Sequence, residues 1–274
     1  MQIEKAAGAL GAYLSGVDIE DAVTSEDAFS AIRAALIEHQ VLFLRDQPIA
    51  PQRLYEFARM FGSIEGHPAY ATVEGAGDVQ ILESTPENPS KIEKWHSDMT
   101  FRSTPPMATV LHGKVIPKFG GDTLFASMYA AYDALSEPMR ELLDPLVAVH
   151  DFRHGFAESL AEPGGAERLA DAVAANPPVE HPLVRTHPES GRQALYVNPL
   201  FTTRIKGLAP AESRALLEFL YTHMVTEEFT VRLNWQPETI AIWDNRCTQH
   251  KPVNDFFPQH RRLHRVTVAG DRPH

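Results

Sequence analysis

The chain has 274 residues, a formal net charge of −11, 43% hydrophobic residues and 22% charged residues. This usage is typical of a globular protein and excludes a disordered or fibrous chain, while the acidic balance argues against a nucleic-acid partner. The single cysteine, Cys247, excludes an intrachain disulfide and any cysteine-based zinc or iron–sulfur site. Because no signal-like or membrane-spanning apolar run occurs, we expect a cytoplasmic protein without a membrane partner, folded as a single domain over residues 1–274.

The first third of the chain predicts two helices and a strand. After the sequence "TSED", Phe29, Ile32 and Leu36 recur at helical spacing, and Thr24 or Ser25 is suited to cap the start. A short apolar run, 41–44, predicts a buried strand. The stretch "PQRLYEFARMFG" then predicts a second helix that ends at a glycine.

From about residue 109 onward, strand signals dominate the sequence. The predicted strands are "TVLHGKVI", "GDTLFAS", "LVAVHDF", "ALYVN", "EFTVRLNW", "TIAIWDN" and "LHRVTVAG". Helices are predicted for 130–143 and for "APAESRALLEFLYTHMV", and a surface excursion with a short helix for "AESLAEPGGAERLADAVAANPPVEHP". Many short strands around one core predict a mainly β fold with flanking helices, of the jelly-roll type.

The segment "KWHSDMTF" places His96 and Asp98 one residue apart. In an extended strand these two side chains point to the same face, where they form either a hydrogen-bonded pair or two ligands of one metal ion. His250 follows the predicted strand 240–244, which we expect to carry it to the edge of the same sheet system. Two imidazoles and one carboxylate are the facial set that suits non-haem Fe(II) and leaves coordination positions open.

Two arginines follow on the last predicted strand. Arg261 and Arg265 share a face with Leu263, whereas Arg262 and His264 point to the other face. A guanidinium is costly to bury unless it meets an anion, and a carboxylate accepts two parallel hydrogen bonds from it. This strand therefore predicts an anionic organic ligand beside the metal.

Taken together, these motifs resemble the taurine dioxygenase family of Fe(II)- and 2-oxoglutarate-dependent dioxygenases. The resemblance covers nearly the whole chain and rests on ordered motifs at family spacing. They are "GVDI", "HQVLFLRDQPI", "HPAY", "WHSDMTF", "FGGDTLFAS", "NPPVEHPLVRTHP", "LYVNPLFTTRI", "IAIWDNRCTQH" and "RRLHRVTVAGDRP". It implies a double-stranded β-helix, which is the jelly-roll fold expected from the strand pattern.

The resemblance implies roles for the residues that match the family motifs. His96, Asp98 and His250 match the Fe(II) ligands, while Arg265 and Thr123 match the groups that hold the distal carboxylate of the co-substrate 2-oxoglutarate. O2 is the oxidant that such a site uses.

The primary substrate pocket is implied in the same way. Arg261 matches an arginine near the substrate sulfonate, and Arg265 is a second candidate for shaping that subsite. His67 and Tyr70 of "HPAY", together with Phe156 and Phe201, match residues that line the pocket.

Two positions depart from the taurine pattern. Ile92 stands where the taurine enzyme has an asparagine near the substrate amine, and Gly155 stands where it has a serine. Both changes remove polar groups, so the expected substrate is more apolar than taurine.

The expected reaction is hydroxylation of a small organosulfonate, with release of sulfite and an aldehyde and formation of succinate and CO2 from 2-oxoglutarate. An alkyl-sulfate or aryloxyalkanoate dioxygenase is the alternative within the family. A zinc hydrolase that uses the same three ligands and a non-catalytic jelly-roll binding protein are the alternatives outside it. The family also implies a homo-oligomer, either a dimer or a tetramer.

Overall fold

A computed structural model describes residues 1–66 and 70–274 of the chain. The strands are β1 (Gln2–Lys5), β2 (Ala12–Ser15), β3 (Val41–Leu44), β4 (Gln80–Ser84), β5 (Ala108–Val115), β6 (Thr123–Ser127), β7 (Val147–His150), β8 (Val179–Pro182), β9 (Val184–Thr186), β10 (Gln193–Leu195), β11 (Thr202–Ile205), β12 (Thr230–Leu233), β13 (Ile240–Asp244), β14 (Thr248–Pro252) and β15 (Arg261–Val268).

The helices flank these strands. They are α1 (Ile19–Ala22), α2 (Glu26–His39), α3 (Pro51–Arg59), α4 (Met128–Asp133), α5 (Glu137–Leu143), α6 (Phe152–Gly155), α7 (Ala157–Ala161), α8 (Gly165–Arg168), α9 (Ala170–Ala175) and α10 (Pro210–His223), with a 3₁₀ turn at Glu227–Phe229. Among the residues described, no helix has the length and apolar character needed to cross a bilayer.

The largest sheet has seven strands in the order β1-β2-β3-β13-β5-β15-β4. Its neighbouring strands are antiparallel, except for the parallel pair β2 and β3. One face buries a core with α2 and α3, which includes Leu36, Phe57, Val110 and Val266. Successive side chains alternate between faces, so Leu111 and Leu263 of the same strands pack into a second core on the opposite face.

Smaller sheets complete the β structure. β6 lies between β12 and β14, β7 lies between β11 and β8, and β9 pairs with β10. Phe125 of β6 and Trp243 of β13 join the same core, with ring centroids 5.5 Å apart. The prediction of a mainly β fold with flanking helices is therefore confirmed.

Candidate metal centre

Three buried side chains converge between the seven-stranded sheet and the sheet of β14. One ligand atom from each of His96, Asp98 and His250 lies within 4.8 Å of the others, so the group could hold a metal ion. The Nε2 atoms of both histidines are 3.9 Å from Oδ1 of Asp98. The structure thus brings together the three residues that the sequence nominated as ligands.

Two backbone hydrogen bonds join His96 directly to His250. His96 N donates to His250 O at 3.0 Å and His250 N donates to His96 O at 2.7 Å, which forms an isolated antiparallel bridge. The predicted strand through 96–98 is wrong, because the chain turns immediately after this bridge. Met99 there adopts a φ of 46°, in the left-handed region.

The expectation that strand 240–244 carries His250 to the edge of its own sheet system is also wrong in one respect, because His250 lies on a separate strand. His250 lies within β14 and pairs with Phe125 of β6, whereas β13 belongs to the seven-stranded sheet. A tight turn separates the two strands, closed by the hydroxyl of Thr248, which donates to the carbonyl of Asp244 at 2.7 Å. The chain changes sheets at this turn, and this change carries His250 across to His96.

Both histidines are held in the neutral form that binds metal. Burial lowers the pKa of His96 and lowers the pKa of His250 to about 3. The Nδ1 atom of His96 lies 2.9 Å from the carbonyl oxygen of Lys94. That nitrogen carries the proton, and the lone pair of Nε2 is left for a ligand bond.

The carboxylate of Asp98 is held by a chain of buried hydrogen bonds. Thr109 Oγ1 donates to Asp98 Oδ2 at 2.6 Å, and Asn245 Nδ2 donates to Thr109 Oγ1 at 2.9 Å. Trp243 Nε1 in turn donates to Asn245 Oδ1 at 2.8 Å. Burial alone raises the pKa of Asp98, but its neighbours His250, Arg265 and His96, together with the Thr109 hydroxyl, bring this pKa below its usual value.

Sequence reasoning did not find Thr109, Asn245 or Trp243, because Asn245 and Trp243 reach the Asp98 carboxylate only through Thr109, which is 136 positions away from Asn245. The donor set that they support is one ionised carboxylate and two neutral imidazoles, with one ligand atom from each within 4.8 Å of the others. This set fits a divalent iron ion with coordination positions left for small ligands, and it differs from the closed four-ligand set of a structural zinc site.

A cavity of about 960 Å³ opens beside the three ligands. It is lined by all the other predicted site residues that the structure describes: Tyr70, Ile92, Thr123, Phe156, Phe201, Arg261 and Arg265. His67, also predicted to line the pocket, lies outside the described residues.

Arg261 and Thr123 lie on the same side of this cavity. Trp235 Nε1 donates to Thr123 Oγ1 at 3.0 Å, and the Arg261 guanidinium lies 5.9 Å from the centroid of the Trp235 ring. Phe256 flanks the guanidinium on another side at 6.0 Å. Burial lowers the pKa of Arg261 to about 10, so the side chain remains a cation at neutral pH.

Arg265 occupies a different position, near the ligand group. Its Nε and Nη2 atoms donate to Gln80 Oε1 at 2.8 and 2.6 Å, and its guanidinium lies 4.5 Å from the centroid of the Tyr70 ring. Its positive charge contributes to the lowered pKa values of all three ligand residues, Asp98, His96 and His250. Arg265 therefore lies near the three ligand residues.

Aromatic rings form the apolar wall of the cavity. Phe101 lies edge-on to Phe201 with ring centroids 4.9 Å apart, and Phe152 stacks on Phe156 at 4.3 Å. Ile92 packs against this cluster. The wall matches the expectation that the pocket is apolar near Ile92 and Phe156.

Comparison with known proteins identifies the group to which the fold and site belong. The family model for "taurine catabolism dioxygenase TauD, TfdA family" matches residues 2–267. The chain belongs to this dioxygenase family. Among its relatives, an alpha-ketoglutarate-dependent sulfate ester dioxygenase from Pseudomonas putida is 38% identical, covering 100% of this chain and 91% of that protein. An alkylsulfatase from Acinetobacter baylyi is 36% identical over 99% of this chain and 86% of that protein.

A solved structure agrees with this placement. A taurine dioxygenase from Burkholderia xenovorans superimposes with a TM-score of 0.84 at 35% identity, covering 99% of this chain and 92% of that one. The fold is thus of the jelly-roll type, as predicted. The chain is an Fe(II)- and 2-oxoglutarate-dependent dioxygenase, with O2 as oxidant and a small organic molecule as substrate.

Proposed function

We propose that this dioxygenase oxidises an apolar alkyl chain at the carbon that bears an anionic sulfur group, with alkyl sulfate esters preferred over alkylsulfonates. The observation that carries the proposal is the juxtaposition of buried Arg265 with the ligand group and an aromatic-lined cavity of about 960 Å³. Arginine recognises a sulfate or sulfonate through charge-assisted hydrogen bonds, and the apolar wall receives the chain. The similarity to a sulfate ester dioxygenase and an alkylsulfatase supports the choice of sulfate esters.

In this proposal His96, Asp98 and His250 bind the iron. When bound, the iron would activate O2, the oxidant: one oxygen atom would enter succinate as 2-oxoglutarate is oxidised and loses CO2, and the other would enter a C–H bond of the substrate. The residues of the chain orient the target carbon towards the metal and keep water out of the cavity. Hydroxylation beside a sulfate ester gives an unstable adduct, which breaks down to an aldehyde and sulfate; a sulfonate gives an aldehyde and sulfite.

We further propose that the two arginines have the opposite roles to those that the family resemblance suggested. The shared contact with Trp235 supports a subsite in which Arg261 and Thr123 hold the distal carboxylate of 2-oxoglutarate together. The position of Arg265 near Asp98 and over Tyr70 supports a role at the sulfate or sulfonate of the primary substrate.

The roles of the arginines separate in steady-state kinetics. Arg261→Ala should raise the KM for 2-oxoglutarate at least about tenfold, because a charge-assisted pair is lost. Arg265→Ala should raise the KM for hexyl sulfate by a similar factor and change the KM for 2-oxoglutarate much less. The reverse pattern would restore the assignment that the resemblance suggested.

A substrate panel tests the main proposal. The panel is hexyl sulfate, hexanesulfonate, taurine and 2,4-dichlorophenoxyacetate, each with Fe(II), 2-oxoglutarate and air, with succinate as the readout. We expect hexyl sulfate first and taurine last, since an unpaired ammonium loses hydrogen bonds worth roughly 1.5–3 kcal/mol each. A clear preference for taurine or the aryloxyacetate contradicts the proposal, and succinate-coupled turnover that persists without oxygen contradicts dioxygenase chemistry.

We also propose that residues 1–274 act as one cytoplasmic domain that assembles into a homo-oligomer. The family match across residues 2–267 supports the single domain. Light scattering coupled to size-exclusion chromatography measures the mass, and a value near the 30.5 kDa of one chain would contradict the oligomer.

A further inference from the structure

One glycine in the wall of the substrate cavity contacts an aromatic side chain at a distance that no other residue allows. Gly155 ends α6, and Phe201 precedes β11. A Cβ atom built on Gly155 would lie 2.6 Å from Cδ1 of Phe201 and closer still to Cε1, whereas its next neighbour, the carbonyl oxygen of Leu200, would be 3.2 Å away. Contacts this short do not occur between carbon atoms, so the Phe201 ring owes its present position to the missing side chain at 155.

The conflict would arise from the ring and not from the backbone of residue 155. The φ of Gly155 lies outside the left-handed region, so alanine or serine can adopt its conformation without strain. The helix that it ends is fixed at its start, where the Asp151 carboxylate accepts a hydrogen bond from Arg153 N at 2.8 Å. A glycine is therefore needed at position 155 because of the neighbouring Phe201 ring, and not because of the backbone conformation of residue 155.

The backbone of Phe201 cannot easily give way. Its N–H donates to Asn198 Oδ1 at 2.9 Å, and its carbonyl accepts from Asp151 N at 2.9 Å. The ring itself is bounded by Phe101, whose centroid is 4.9 Å away, and by Phe156 at 6.4 Å. The remaining direction is the cavity that Phe201 lines, towards the ligand His96, whose ring centroid is 6.4 Å away.

We propose that Gly155 is a specificity-determining residue: by leaving room for the Phe201 ring, it keeps open the part of the cavity beside His96 that accepts a long or branched alkyl chain. A side chain at 155 would push the ring into this space. Short substrates would still fit, whereas bulky ones would lose their place next to the metal. The inference rests on the proposed function, because it assigns the apolar end of the same substrate.

The test compares a bulky and a short substrate in the wild type and in two variants of Gly155. The kcat/KM ratio of 2-ethylhexyl sulfate to propyl sulfate is measured for the wild type, Gly155→Ala and Gly155→Ser. We expect this ratio to fall at least about tenfold in both variants, since pocket contacts of one or two carbons discriminate by such factors. The KM for 2-oxoglutarate should not change.

Two controls isolate the contact. In the Phe201→Ala background, Gly155→Ala should leave the ratio unchanged, because the ring that it displaces is gone. Gly8→Ala adds a methyl group where a built Cβ meets nothing within 4 Å, and it should behave as wild type. Circular dichroism spectra verify that each variant is folded.

An unchanged ratio in Gly155→Ala, or an equal loss for both substrates, would overturn the inference. So would a fall of the same size in the Phe201→Ala background. A wild-type enzyme that turns over neither sulfate contradicts the proposed function instead. Binding of the same two sulfates is then measured by isothermal titration calorimetry. A selective loss of affinity for the bulky sulfate in Gly155→Ala upholds the inference, and an equal change in affinity for both sulfates contradicts it.

Discussion

The metal centre depends on a single negative charge, that of Asp98. Its two neighbours, His96 and His250, are neutral because burial lowers the pKa of each. We expect Asp98→Ala to abolish succinate formation, because two neutral imidazoles bind a divalent ion much more weakly than the full set. The direct measurement is calorimetric titration with Mn(II), and binding at wild-type affinity would contradict the proposed ligand set.

Thr109 controls the orientation of that carboxylate. Its hydroxyl donates to Asp98 at 2.6 Å and accepts from Asn245 at 2.9 Å, so both bonds are lost in the isosteric variant Thr109→Val. We expect Mn(II) affinity to fall by about 10- to 100-fold, which is the usual cost of losing a partner of a metal ligand. Thr203→Val, which removes a hydroxyl bonded to the carbonyl of Val149, is the matched control. Equal affinities for the two variants would rule out this role of Thr109.

Comparison of the three metal ligands with Thr109 shows which residues of a site can be identified from the sequence. His96 and Asp98 are neighbours in one motif, and His250 belongs to a dense polar segment, so residue type and spacing suggest them and the family resemblance assigns them as ligands. Thr109 is a common residue inside an apolar strand. Its role depends on contacts with residues 11 and 136 positions away, which no local pattern records.

Among the elements, those with a strong local period were predicted well. The helix after "TSED" is α2, and Ser25 caps it by accepting a hydrogen bond from Ala28 N at 3.2 Å. The apolar run 41–44 is the fully buried β3. β14 was missed because its polar residues, Thr248–Pro252, carry no apolar alternation. Tertiary pairing with β6 places this strand, and its identity as a strand determines where His250 lies.

The turn between β13 and β14 is held by a buried ion-pair network. Arg246 Nη2 lies 2.6 Å from Asp244 Oδ2, and its Nη1 lies 2.8 Å from Glu189 Oε1. His187 Nε2 lies 3.0 Å from the same Asp244 carboxylate. Burial alone raises the pKa of Asp244, but the Arg246 guanidinium and His187 hold that pKa well below its usual range. The network fixes the change of sheet that delivers His250 to the metal centre.

Removal of Arg246 should therefore destabilise the whole fold. Arg246→Ala leaves the Asp244 charge buried without its main partner, and we expect the free energy of unfolding to fall by about 3–5 kcal/mol. Arg168→Ala, which breaks an exposed pair with Glu162, should cost far less, because solvent screens that pair. Urea unfolding of the metal-free proteins measures both values. A similar cost for the two variants would show that the turn is not held by this network.

At the scale of the whole molecule, two histidines are buried on the face of the large sheet opposite to the one that carries the cavity residues Leu111 and Leu263. His112 on β5 and His264 on β15 are direct cross-strand neighbours on the face of the large sheet that also carries Val110 and Val266. Burial lowers the pKa of each to about 4. Glu238, whose Oε2 lies 2.7 Å from His112 Nε2, opposes this effect, whereas the cations Lys114 and Arg262 reinforce it.

These lowered pKa values predict a loss of stability in mild acid. An unfolded histidine binds a proton near pH 6.5, but His112 and His264 in the folded chain do so only near pH 4. Between these values the unfolded state holds more protons, so stability is full above about pH 6.5 and declines as the pH falls towards 4. Urea unfolding in EDTA at pH 7.5 and 4.5 should show that His264→Asn loses roughly 1–2 kcal/mol less than wild type over this range. His260→Asn, which removes an exposed histidine paired with Glu83, should follow the wild-type pH dependence. If His264→Asn lost as much stability as wild type, the buried pair would not be a source of the acid sensitivity.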